Sequence, residues 1–242
     1  MLDVLRQIWE NATTATGPVA PTGVALTAAI AVAVVLWRPA WRLARHGITI
    51  VHEASHAFVA TLCGRRLSGI RLHSDTSGLT VSAGRPRGPG MIATAFAGYV
   101  GPGLFGLGAA ALLARGYAIG VLWLLVLVLA LMLVQIRNWF GLWSILVCGV
   151  SLVAVSWWGS HDIATAVAFV VTWFLLLGAP RPVLELQAQR RRGGARSSDA
   201  DMLARLTPLP GLFWVGVFLL VTLGCAALGA WWLVEPALST AG

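Results

Sequence analysis

Lysine is missing from this 242-residue chain, and all 17 of its basic residues are arginine. Acidic residues are also scarce at nine, so only 11% of the chain is charged. That excludes an ordinary soluble domain, whose surface needs far more charge to stay in water. The net charge of +8 is spread over short loops without interleaved aromatics, which argues against a nucleic-acid platform. Cysteine is limited to Cys63, Cys148 and Cys225, none at Cys-x-x-Cys spacing. This excludes a disulfide framework and a thiolate zinc knot, and each reads as a small buried hydrophobe. There is no internal repeat, which removes the paired half-repeats of many transporters. Residues 1–10 lack the apolar core of a cleavable signal peptide. Their Leu2, Leu5, Ile8 and Trp9 recur at helical spacing instead, as in a short helix lying on a membrane.

What the chain has in abundance is apolar side chains. Hydrophobic residues are 58% of it, and the mean hydropathy is +0.81. Seven apolar segments stand out, near 20–37, 47–63, 91–114, 117–136, 139–158, 163–179 and 210–234. In lipid each span must satisfy its own backbone hydrogen bonds, so these read as helices. The expected fold is an all-α polytopic membrane protein of six to seven transmembrane helices, one domain over 1–242, in contact with the lipid bilayer. The twelve tryptophans gather near span ends, as in an interfacial aromatic belt, and the first span reads as an uncleaved insertion signal. All-arginine usage points to a GC-rich, bacterial source.

Three connections interrupt the apolar pattern. Residues 38–46 (RPAWRLARH) and 181–210 are basic, the latter turning acidic at 199–201. Residues 64–90 are rich in Gly and Ser, with alternating stretches at 69–72 and 79–82 that predict a small β-hairpin. Five segments separate the two basic connections. If all five crossed, those connections would face opposite sides, against the positive-inside rule. The short, polar-bearing segment 47–63 is the weakest candidate for a full crossing.

That segment carries the chemistry. In ITIVHEASHAFVATL (48–62), His52, Glu53 and His56 sit among Ile, Val, Ala and Phe. Each charged residue at mid-bilayer costs about 2.5–3.5 kcal/mol, so three together demand compensation. His-Glu-x-x-His places both imidazoles on one helical face, where they would supply half of a tetrahedral zinc shell. Glu53, beside the first ligand, suits a general base acting on an activated water. A third ligand must come from elsewhere. His46 lies on a different face; His73, His161, Asp75 and Asp162 lie in loops or at a span end; Asp199 and Asp201 precede an apolar helical stretch. Ser197, Ser198 and Asp199 are equally good helix N-caps.

Taken together, 52–56 (HEASH), 77–80 (SGLT), 97–102 (AGYVGP), 137–139 (RNW) and 197–200 (SSDA) resemble the site-2 protease family of intramembrane metallopeptidases. More narrowly, they resemble its divergent Peptidase M50B-like branch, and the resemblance extends over about 51–214. The resemblance implies zinc held by His52 and His56, Glu53 as catalytic base, and an aspartate as third ligand. The Leu-Asp-Gly motif that carries this aspartate in better-known members is absent, which leaves Asp199 as the best substitute. Asn138, another polar residue at a span start, carries an amide that ligates zinc poorly. The implied activity is a zinc-dependent endopeptidase acting on transmembrane helices of membrane proteins, with 64–90 as an edge that captures an unwound strand. A metal-binding regulatory protein without proteolytic activity is the alternative. The glycines at 98, 101 and 103 read first as ordinary span packing.

Overall fold

The computed structural model describes residues 2–194 and 198–239. Ten helices and one hairpin follow in order: α1 (Leu2–Thr13), α2 (Pro21–Leu36), α3 (Arg38–Leu62), β1 (Arg66–Leu72), β2 (Gly78–Ala83), α4 (Pro89–Leu113), α5 (Ala118–Gln135), α6 (Trp139–Trp158), α7 (His161–Gly178), α8 (Pro180–Arg191), α9 (Asp199–Leu206) and α10 (Gly211–Ser239). The chain is an all-α polytopic membrane protein. Among the described residues, five stretches are long and apolar enough to cross a bilayer: α4, α5, α6, the combined α7–α8 of His161–Arg191, and α10. The pair α2 and α3 adds a sixth if its bent path counts as one span.

The break between α2 and α3 has a local cause. Pro39 lies in the first turn of α3. It lacks an N–H and its ring would collide with the carbonyl of Val35, so α2 cannot continue through it. The two helices diverge by 101° at Trp37. The basic stretch 38–46, expected as a loop, is therefore the first part of α3. Much of 181–210 is likewise helical, as α8 and α9.

This break relieves the topological conflict in the sequence. The Arg45 guanidinium lies 3.2 Å from Glu185, and Trp41 Nε1 donates to the same carboxylate at 2.9 Å. Both basic stretches therefore lie together, which requires an even number of crossings between them. The stretches between them that qualify as spans are α4, α5, α6 and the combined α7–α8, which makes four, and α3 does not qualify by itself.

The main apolar core lies where α2, α4, α5, α7 and α10 meet, around Ala31, Ala110, Leu122, Ala168 and Leu176. A second core joins α3, β1, α5 and α6. A third seats α8 and α9 on α4 and α10 through Val183, Leu186, Leu203 and Phe218. Trp37, Trp139, Trp143, Trp158 and Trp231 are exposed, as a lipid-interface belt requires. Trp41 is buried under Arg181, whose guanidinium sits 4.5 Å from the ring centre. All three cysteines are free, but only Cys225 is buried; Cys148 is partly covered, and Cys63, which caps α3, is exposed.

β1 and β2 pair antiparallel, with Ile70 opposite Thr80 and a bulge between Leu67 and Gly69. Residues 136–138 close the far side of β1. Arg137 N donates to Ile70 O at 2.9 Å, and Asn138 grips Leu72 twice, donating to its carbonyl at 2.6 Å and accepting from its N–H at 3.2 Å. A Cβ at Gly69 would come within 2.4 Å of Arg137 Cγ, so only glycine fits this crossing. β1 is thus covered on both edges, whereas β2 has no second backbone partner among the described residues.

Leu72 is buried, so Asn138→Ala would strand its N–H and C=O away from water. We expect a loss of about 1–3 kcal/mol, read as a lowered unfolding midpoint in detergent micelles. An unchanged midpoint would show that the Asn138 grip contributes nothing.

Candidate metal centre

Helix α3 presents His52 and His56 one turn apart, facing α4. The fit against α4 depends on missing side chains. A Cβ at Gly98 would lie 2.3 Å from His56 Nε2 and 2.7 Å from His52 Cε1, and one at Gly101 would overlap Ser55. These two glycines therefore let the backbone of α4 approach the imidazoles. Gly103 makes only ordinary contacts with Thr222 and Cys225, so span packing accounts for it alone.

His56 Nδ1 lies 2.7 Å from the carbonyl of Thr94. A carbonyl only accepts, so Nδ1 carries the proton and the Nε2 lone pair faces inward. His52 Nε2 is 3.1 Å from His56 Nε2. The His52 ring stands edge-on to Tyr99, with centroids 4.9 Å apart, and Tyr99 stacks on Phe218.

Asp199 arrives from α9. Ser198 is the N-cap of that helix, its hydroxyl accepting from Asp201 N; Ser197, the other candidate cap, lies outside the described residues. Freed from capping, the Asp199 carboxylate turns to the histidines. Its Oδ2 is 3.3 Å from His52 Nε2 and 3.2 Å from His56 Nε2. It is nevertheless buried and accepts no well-directed hydrogen bond.

These three atoms fit a divalent cation. Donors bound tetrahedrally at about 2.0–2.1 Å would be about 3.3 Å apart, and the three separations are 3.1, 3.2 and 3.3 Å. Three inward-facing lone-pair atoms this close repel one another unless protons or a cation lie between them. Among the described residues this is the one group of three His, Cys, Asp or Glu side chains placed to hold a metal.

Glu53 points elsewhere, to the hairpin. It is buried, and Thr80 Oγ1 on β2 donates to its Oε2 at 2.6 Å. A Cβ at Gly78 would lie 2.4 Å from Glu53 Oε1, so glycine at the start of β2 makes room for the carboxylate. Thr49 Oγ1 ties the hairpin tip to α3 through the carbonyl of Thr76, at 2.9 Å. Sequence reasoning assigned Gly78 and Thr80 to the hairpin and to a family motif but missed their contact with Glu53. The conjunction of Gly-Leu-Thr with the hairpin pattern was the available signal.

The other candidate ligands lie apart from the centre. Asp201 spends one oxygen on Arg190 and the other on the Ser198 hydroxyl at 2.6 Å. Burial pushes its carboxyl up, but Ser198 and Arg190 outweigh that and hold it below the usual carboxylate range. Asp75 accepts from the Ser77 hydroxyl and N–H in the hairpin turn, which keeps its carboxyl low. Asp162 is in the first turn of α7. His46 packs on Phe140, His73 faces Ser77 and His161 faces Thr165. Asn138 holds Leu72.

Comparison with known proteins identifies the family of the chain. No curated protein and no solved structure matches the chain. Residues 25–229, however, match the family described as Peptidase M50B-like, and that span takes in α3, the hairpin, the paired glycines of α4 and the aspartate of α9. With most of its length covered, the chain belongs to the Peptidase M50B-like family.

Proposed function

We propose that this protein is a zinc-dependent intramembrane endopeptidase that hydrolyses peptide bonds in or near the transmembrane segments of other membrane proteins. The observation that carries this reading is the convergence of His52, His56 and Asp199 to within 3.3 Å of one another, one residue along the helix from a buried glutamate. Two imidazoles and a carboxylate are a donor set that suits zinc. Zinc bound there supplies Lewis acidity, polarising a scissile carbonyl and acidifying a water.

The chain's own residues divide the remaining work. Thr94 fixes the His56 tautomer, and Gly98 gives both rings their space. Thr80 orients the Glu53 carboxylate. Glu53 takes a proton from the attacking water and passes it to the departing amine, so that one peptide bond becomes a carboxylate and an amine. A substrate helix hides its carbonyls in its own hydrogen bonds and must unwind before it is cut. The unpaired edge of β2, one side chain from Glu53, is suited to hold the unwound strand by β-addition. The positive-inside rule assigns the arginine-rich side, with α8 and the N-terminal part of α3, to the cytoplasm of a bacterial cell.

Glu53→Gln should lower cleavage of a transmembrane peptide library in proteoliposomes by about 10²–10⁴-fold while leaving zinc content unchanged. Cleavage by Glu53→Gln at the wild-type rate would end the peptidase reading. Elemental analysis should find close to one zinc per wild-type chain and a large deficit in His52→Ala and Asp199→Ala. Chelation should abolish cleavage, and added zinc should restore it. Wild-type protein without a divalent metal would remove the basis of the mechanism.

A further inference from the structure

Helices α3 and α9 bring their ligands from opposite ends of the chain, so something must set the distance between them. One short helix touches both through charge. Near its middle, Glu185 of α8 receives Trp41 Nε1 at 2.9 Å and lies 3.2 Å from Arg45, both on α3. Arg181, one turn earlier, braces the same carboxylate at 3.3 Å and covers the Trp41 ring. At its end, Arg190 pairs with Asp201 of α9, two residues from Asp199, and its Nη1 also reaches the Ser198 hydroxyl at 3.5 Å.

The Arg190 contact is partly covered, with about a fifth of each side chain exposed, and Gly211, where α10 begins, lies against the guanidinium. Asp201 offers one oxygen to Arg190 and the other to Ser198, the N-cap of its own helix. This arrangement fixes both the start and the rotation of α9. The apolar seat beneath it, Val183, Leu186, Ala200 and Leu203, opposes lifting and any roll large enough to expose Ala200 or Leu203. It is less sensitive to small rolls and to fraying of the first turn, which are enough to move Asp199 off the imidazoles and which the polar contacts of that turn oppose.

We propose that α8 is a charged strut, with Glu185 anchoring the histidine helix and Arg190 acting as the positioning residue that aims Asp199 at His52 and His56. This rests on the metal-centre reading above and extends it to residues that touch neither metal nor substrate. Outer partners of metal ligands typically account for 10–100-fold in affinity.

The test uses the full-length protein in detergent, with zinc affinity measured by competition against a chelator and backbone hydrogen exchange followed over residues 199–206. Arg190→Gln and Asp201→Asn should each weaken zinc binding by about 10–100-fold and speed exchange in α9, leaving exchange in α4 and α7 unchanged. The double variant should be no worse than either single one, because both remove the same contact. Arg192→Gln, on the exposed turn after α8, should match wild type in both measurements. Unchanged zinc affinity in Arg190→Gln, losses that multiply in the double variant, or unchanged exchange in α9 would each overturn the proposal. If wild-type protein takes up no zinc, the metal reading fails by itself, and exchange in α9 alone decides whether Arg190 holds that helix.

Discussion

Three lone-pair atoms within 3.3 Å of one another, enclosed by apolar helices, are the constraint around which the rest of the chain is arranged. Burying imidazoles and carboxylates away from water is costly, and bringing their lone pairs face to face adds repulsion. Surrounding features meet these demands one at a time. The Thr94 carbonyl takes the His56 proton outward. Gly98 and Gly101 let α4 come close enough to wall off the rings. Ser198 caps α9, so Asp199 is free to turn inward. Each is a local solution, and together they leave three donor atoms spaced as a dication would need them.

The hairpin serves the same centre from the other side. Its inner strand is closed on both edges by β2 and by the Asn138 grip, so β1 is a rigid platform. Its outer strand keeps a free edge and lends Thr80 to Glu53. A two-stranded hairpin alone is marginal in water. Here residues 136–138 and the hydroxyl of Thr49 fasten it to α3 and to the α5–α6 junction. Hairpin and Glu53 are therefore fastened to each other, and on the proposed function this would keep a captured strand and the proton acceptor in fixed relation.

Charge is used sparingly and is concentrated on α3, α8 and α9. Glu185 gathers Trp41, Arg45 and Arg181, and Asp201 gathers Arg190 and Ser198. Arginine suits these places because its planar fork keeps its charge when partly buried and fits carboxylates closely. The same contacts hold together two arginine-rich stretches that are far apart in sequence.

The sequence by itself determined the class of fold and half of the centre. Long apolar runs admit only helices in lipid, and His-Glu-x-x-His puts two imidazoles on one face by helix geometry alone. Both are short-range properties, written within one turn or one span. The hairpin was legible for the same reason, from alternation over a few residues. Helix breaks were harder to read. Pro39 marks one, yet the extent of α3 through a basic stretch depends on Glu185, 140 or more residues away. Only the tertiary structure decided which acid meets the histidines, because Asp199 and Asp201 have similar local sequence and differ in what Arg190 and Ser198 claim first. It likewise decided that Gly78 and Thr80 belong to Glu53, and that Asn138 serves a strand edge. Those are contacts between distant segments, set by how helices pack, and no local pattern encodes the distance between them.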